Sequence, residues 1–352
     1  MEPMPGREPM PPWYYPMAGR LEEPIIDSQA LTGNPLGDPH RRPLIVQLPP
    51  AYDAEPERRF PTIYVLQGLT NQVDMWRNRN SFRRNPLEEL DARFASGEVP
   101  PVIVVYVDAW TSLGGSQFVD SPGTGRYATY LCDELVPFVD AGYRTMAAAA
   151  HRGLAGHSSG GYGAMVNAMR RPDLFGGIAS HAGDGLFELC FIPAFGAVVK
   201  AMRDRYDGSF ERFWDDFRSR PGRTHPADGE LINVYCMAAC FSADPDGTVQ
   251  LPFDSRTGVL RPEVWQRWLD WDPVRMIPKY ADALRGLRAI WIDAGVRDEW
   301  FLDIGAEAVH AALRAAAVPA ERIRFELFEA SHMAIDYRYP MSLAWLCHQI
   351  TP

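Results

Sequence analysis

The sequence predicts an α/β fold: a mostly parallel central sheet with helices on both faces. Three observations predict it. Short β-branched runs alternate with segments of helical apolar spacing from residue 43 to the C-terminus. "PVIVVYVDAW" (101–110) is a nearly continuous apolar run, the pattern of a strand buried on both faces. "RGLAGHS" (152–158) runs into "GYGAMVNAMRRPDLF" (161–175), a strand followed at once by a helix that ends near Pro172.

The other elements follow in order. "PLIVQLP" (43–49) and "TIYVLQG" (62–68) read as strands closed by Pro and Gly. "GRYATYLCDELVPFVDAGY" (125–143) has helical spacing. "GGIASHAG" (176–183) and "RAIWIDAG" (288–295) read as strands, followed by a helix near 302–316, the strand "RIRFELF" (322–328) and a C-terminal helix near 340–350. Residues 185–285 interrupt the rhythm. They are Trp-rich, with helical stretches and no clear strand, and read as an insertion covering one end of the sheet, a lid. Residues 1–24 are rich in Pro and Met and read as an extended arm on a domain spanning 25–352. Trp13, Tyr14 and Tyr15 either belong to a disordered tail or pack on the domain or a second copy of the chain; the latter makes a homodimer.

The chain has 352 residues, 46% of them hydrophobic, which is ample for a large core. Its net charge of −10 argues against a nucleic-acid partner, since phosphate binding needs clustered Lys and Arg. Cys132, Cys190, Cys236, Cys240 and Cys347 match no disulfide framework or zinc spacing and read as buried thiols. The N-terminus shows no apolar signal region, and no run reaches the ~18 apolar residues of a membrane span. The expectation is a cytoplasmic protein without a membrane partner. "DPDGT" (244–248) resembles part of a calcium loop but lacks the later ligands, so it reads as a turn; no metal or cofactor is expected.

"GHSSG" (156–160) fits Gly-x-Ser-x-Gly only with Ser158 in the centre. A strand before and a helix after give it the context of a nucleophile held on a sharp turn, where the flanking glycines remove side chains that would clash. A serine hydroxyl needs a base. In this architecture the partners follow in the order Ser, acid, His. Of eight histidines, His310, His332 and His348 lie near the C-terminus. His310 and His348 sit within helices, whereas His332 in "FEASHMAIDY" follows a strand end and is the base. The acid comes from "WIDAGVRDEW" (291–300): Asp298 is favoured, being in the loop past the Ala-Gly turn. Asp293, at the strand tip, and Glu299 are better read as a solvated loop charge or a helix cap. Oxyanion donors are the backbone N–H groups of Ser159 and of Leu69, beside Gly68 in "LQGLTNQVDMW" (66–76).

Together "LPPAYD" (48–53), "FPTIYVLQGLT" (60–70), "DELVPFVDAGYRT" (133–145), "GLAGHSSGGYGAM" (153–165), "DAGVRDEW" (293–300) and "ASHMAIDY" (330–337) resemble the esterase family of α/β-hydrolases. That family includes feruloyl and acetylxylan esterases, S-formylglutathione hydrolases, enterochelin-type esterases and mycolyltransferases. The resemblance covers roughly residue 28 to the end. It implies an α/β-hydrolase fold with an inserted lid, the triad Ser158, Asp298 and His332, and oxyanion donors at Leu69 and Ser159. Two departures stand out: Gln67 replaces the His or Asp that many relatives carry before the loop glycine, and the 185–285 insertion is long. "GSQFVDSPGTGRY" (115–127) is similar to a loop of the enterochelin-type and feruloyl-type members.

The expected activity is cleavage of a small carboxylic ester or thioester through an acyl-enzyme on Ser158. Gln67, Trp76, Trp110, Tyr162, Trp300 and Phe301 are candidate substrate contacts, and the aromatics among them suggest an aromatic or bulky group. The alternative is acyl transfer from the same intermediate, as in mycolyltransferases. A non-catalytic binding protein on the same fold is a third reading.

Overall fold

The computed structural model describes residues 16–79 and 81–352. Trp13, Tyr14 and Tyr15 lie outside the described residues. The main sheet has eight strands, labelled in chain order β1 (Arg20–Glu22), β2 (Ile45–Leu48), β3 (Thr62–Leu66), β4 (Ile103–Val107), β5 (Arg152–His157), β6 (Gly177–His181), β7 (Ala289–Gly295) and β8 (Ile323–Phe328). Their spatial order is β1-β2-β4-β3-β5-β6-β7-β8. β1 and β2 pair antiparallel, as do β2 and β4; every later pair is parallel. Residues 20–22, read from sequence as the end of the arm, therefore form the edge strand of the sheet.

The apolar runs of β3 and β4 serve two cores. Ile63, Val65, Val104 and Tyr106 face the C-terminal helix Arg338–Ile350 and the helix Pro86–Ser96. Tyr64, Leu66, Ile103, Val105 and Val107 belong to the opposite core, with Met165 and Met169 of the helix Ser159–Arg170. Alternation with period two sends consecutive residues to opposite faces, so a strand covered on both sides shows no polar stripe.

The helix Pro86–Ser96 was not anticipated, although its end signals are in the chain. Asn85 Oδ1 accepts from Glu88 N at 2.9 Å, and Glu88 Oε2 accepts from Asn85 N at 3.0 Å. Pro86 takes the first helical position and Gly97 closes the helix at φ 75°. The helix expected over 125–143 is broken by a wider π-type stretch, Tyr130–Leu135.

Residues 185–285 are helical, with Ile192–Tyr206, Phe210–Ser219, Asp228–Phe241 and Pro262–Leu269 as the longer pieces. Their aromatics build a core of their own: Trp268 is fully buried and meets Phe191 edge-on at 5.3 Å. "DPDGT" is a turn in which Gly247 N donates to Asp244 O, and Asp244 pairs with Arg267. All five cysteines are buried free thiols. Among the described residues no helix is long and apolar enough to cross a membrane.

Candidate active site

At the carboxyl end of β5 the chain turns sharply. Ser158 sits at φ 57° and ψ −126°, outside the helical region, and the helix Ser159–Arg170 begins at the next residue. A serine at positive φ is strained, and surrounding bonds must hold it there. Ser158 N donates to His181 O at the end of β6, and Ser158 O accepts the first helical bond from Tyr162 N, both at 2.9 Å. The flanking glycines are sterically required. A Cβ on Gly160 would lie 2.2 Å from Leu66 O, and one on Gly156 would lie 2.2 Å from the carbonyl carbon of Gly160. Only the register centred on Ser158 puts glycine at both contacts. Gly160→Ala is therefore expected to lower stability by roughly 1–3 kcal/mol and to cut turnover by displacing Ser158. A wild-type melting temperature with wild-type turnover would contradict this.

The loops after β7 and β8 are joined backbone to backbone. Val296 N donates to Phe328 O and Arg297 N to Ala330 O, both at 2.9 Å. Gly295 makes that approach feasible, since a Cβ there would lie 2.5 Å from Ala330 O. The pairing carries Asp298 to His332, whose Nδ1 lies 2.7 Å from Asp298 Oδ2, with both residues buried. Asp298 Oδ1 accepts from Trp300 N at 2.9 Å, which fixes the carboxylate. Glu299 is neither a solvated charge nor a cap: its Oε2 accepts the His332 amide at 2.9 Å and so anchors the histidine loop. The His332 ring meets Trp300 at 4.8 Å and His157 at 4.5 Å between centroids. Burial, then the neighbouring His332 and His181, push the His157 imidazole well below its usual value, so it stays neutral beside His332.

Asp293 differs from its sequence reading as well. It is fully buried rather than solvated: Oδ1 lies 2.6 Å from His181 Nδ1, while Oδ2 accepts from Trp291 Nε1 at 2.7 Å and Arg338 Nε at 2.9 Å. Burial alone would raise this carboxyl. The charges and hydrogen bonds of His181 and Arg338 outweigh it and hold the group below its ordinary value. Asp293 thus serves the floor of the site, and Asp298 alone reaches His332. His310 stacks on Phe325, away from the site.

Ser158, Ser159, Leu69 and His332 line one cleft of about 1020 Å³. Ser159 N–H, in the first helical turn, has no intrahelical acceptor. Leu69 N–H makes no hydrogen bond among the described residues, and Thr70 N is held by Gly114 O at 2.8 Å. Gly68 lets this loop abut the nucleophile: a Cβ there would lie 3.7 Å from Ser158 Cβ. The Ser158 hydroxyl forms no hydrogen bond to His332 among the described residues; such catalytic contacts often close only with substrate bound.

The substrate contacts expected from sequence divide. Trp300 and Trp76 line the cleft, although Trp76 is largely buried between Tyr106 and Tyr339. The other four are not among its lining residues. Gln67 is buried, donating to Asn71 O at 2.7 Å within its own loop. Trp110 covers the Arg42 guanidinium. Tyr162 is fully buried in the core, its hydroxyl donating to Trp271 O. Phe301 points outward, 41% exposed. Sequence reasoning missed Asp184, a buried carboxylate that lines the cleft and accepts from Gln117 Nε2 at 2.8 Å. Its signal was an acidic residue just past the end of a parallel strand, in "HAGDG".

Known proteins agree with this geometry at the level of fold. A ferulic acid esterase superposes with a TM-score of 0.61 at 19% identity, over 96% of this chain and 99% of that one. An S-formylglutathione hydrolase from Agrobacterium tumefaciens gives 0.55 at 15% identity, over 96% and 97%. The feruloyl esterase module from Clostridium thermocellum also gives 0.55 at 15%, over 98% and 95%. In sequence, protein YbbA of Bacillus subtilis is 24% identical over 158 residues, 42% of this chain and 58% of YbbA. An endo-1,4-beta-xylanase/feruloyl esterase of Xylanibacter ruminicola is 27% identical over 125 residues, 34% of this chain and 16% of that protein. The chain thus spans less than two thirds of the length of either relative. The Esterase family model ("Putative esterase") matches residues 39–337. With most of its length inside that match and an eight-stranded, mostly parallel sheet flanked by helices, the chain belongs to the esterase family and has the α/β-hydrolase fold.

Proposed function

We propose that the protein is a serine esterase that hydrolyses a carboxylic ester or thioester through an acyl-enzyme. One observation carries the reading: the His332–Asp298 pair opens onto the cleft that also exposes Ser158, held at its strained strand-to-helix corner. His332 takes the Ser158 proton as the hydroxyl attacks the acyl carbonyl. Asp298 holds the proton on Nδ1, leaving Nε2 free to accept, and stabilises the imidazolium. The negative oxygen of the tetrahedral intermediate rests on the Leu69 and Ser159 amides. His332 then protonates the leaving alcohol, and water repeats the sequence to release the acid.

The substrate carries a bulky or aromatic group. Trp300, Met75, Met333 and Phe191 give the cleft large apolar faces, which suit a ring. The helices of 185–285 contribute Phe191, Ile232 and Asn233 to the same walls, as a lid would. A panel of purified esters with varied acyl and alcohol groups tests this, with Ser158→Ala as the blank. Phenyl-bearing esters are expected to outrun acetyl esters in kcat/KM. Equal rates would remove the aromatic substrate, and no Ser158-dependent turnover of any ester would remove the esterase.

A further inference from the structure

Asp184 has no task in the mechanism above, yet it sits in the same cleft. It follows β6 in the segment 182–186, which packs on the first turn of the nucleophile's helix. A Cβ on Gly183 would lie 2.8 Å from the carbonyl carbon of Gly161 and 2.9 Å from Tyr162 N. That close packing puts the Asp184 carboxylate among Ser159, Cys190, Phe191, Ile232 and Leu302.

The carboxylate is only 6% exposed, and among the described residues no Arg or Lys forms an ion pair with it. Its hydrogen-bond donor is the neutral amide of Gln117. That amide is aimed at some cost: Gln117 and Phe118 lie consecutively at φ 52° and 53°, a conformation that side chains other than glycine avoid. The titratable groups around Asp184 are His332, Asp298, Tyr162 and Cys190. Burial pushes the carboxyl up to about 6, which leaves it mostly ionised at neutral pH. A buried carboxylate without a cation is costly to maintain unless a ligand compensates it. The protein's net charge of −10 also favours the approach of cations.

We infer that Asp184 is the recognition site for a protonated amine on the substrate, so that the cleft selects ammonium-bearing esters. The inference rests on the esterase reading, whose cleft it shares, and narrows the substrate class. The charge and donors of an ammonium group would supply the partner that Gln117 cannot.

The test compares two isosteric pairs. On the acyl side, p-nitrophenyl dimethylaminohexanoate is set against its methyl-branched alkanoate isostere. On the alcohol side, dimethylaminoethyl benzoate is set against isopentyl benzoate. The wild type is expected to favour the amine in one pair by about tenfold in kcat/KM, the size of a charge-assisted hydrogen bond. In Asp184→Asn that ratio should fall toward one, whatever the absolute rates. Thermal shift provides a readout that needs no turnover. Hexylammonium chloride should raise the wild-type melting temperature above the effect of hexanol in matched sodium chloride, and Asp184→Asn should lose the difference. Asp184→Ala replaces Asp184→Asn in both assays if the latter does not fold. A wild type with neither the preference nor the shift overturns the inference, as does a preference that survives removal of the carboxylate. Turnover of the neutral esters with loss in Ser158→Ala would leave the esterase standing in that case. If no ester is turned over, the esterase reading fails and the shift alone decides the amine site.

Discussion

Ser158→Ala is expected to lower kcat by on the order of 10^6-fold, the loss seen when the nucleophile of a triad acting as a unit is removed. The protein should still fold, because the strained corner is held by backbone bonds and glycine contacts that the substitution leaves in place. Substrate binding should survive too, since the cleft walls are unchanged. Ser159→Ala is the matched control. Ser159 is buried and offers its amide to the oxyanion, and alanine keeps that amide, so turnover should persist. Steady-state rates on a p-nitrophenyl ester, with the melting temperature as the check on folding, decide both. Turnover retained in Ser158→Ala, or lost in Ser159→Ala with the fold intact, would reverse the assignment of the two serines.

The second large effect separates two aspartates five residues apart. Asp298→Asn should cut kcat by on the order of 10^4-fold with little change in stability. An asparagine can keep its oxygen on Trp300 N and turn its NH2 toward His332 Nδ1. The imidazole then carries its proton on Nε2 and cannot accept from Ser158. Asp293→Asn should do the opposite, costing roughly 3–5 kcal/mol of stability by breaking a buried charged network. It leaves the charge of Arg338 on that side to Glu326 alone and weakens the His181 contact. The folded Asp293 carboxyl lies below its ordinary value. Its contribution is therefore present above the unfolded value of about 3.9 and is lost as pH falls through the folded value. The acid limb of the stability profile should flatten in Asp293→Asn. A stable, inactive Asp293→Asn beside an active Asp298→Asn would exchange the two roles.

Much of the sheet was legible because its strands are buried on both faces. "PVIVVYVDAW" and "RAIWIDAG" carry an apolar continuity that few other structures need. The nucleophile's corner was equally legible, since glycine at 156 and 160 answers a contact made within a few residues of chain. The helix Pro86–Ser96 shows the other side. Its apolar positions are sparse, and its plainest mark is the Asn85–Glu88 capping box rather than a periodic stripe. Long-range contacts left no such mark. Tyr162, Trp110 and Phe301 lie near the site along the chain, but packing turned one into the core, one onto Arg42 and one outward.

The sequence by itself determined the strand–helix alternation, the Ser158 register and the order of Ser158, Asp298 and His332, because each depends on local periodicity, local glycine or chain order. Which carboxylate reaches His332, and what Glu299, Asp293 and Asp184 do, was decided only by the tertiary structure. Those four acids sit at the ends of two strands, in loops with similar composition. Their roles depend on which partner the pairing of the β7 and β8 loops and the packing of residues 182–186 bring within hydrogen-bond reach, a matter of ångströms in space that no spacing along the chain encodes.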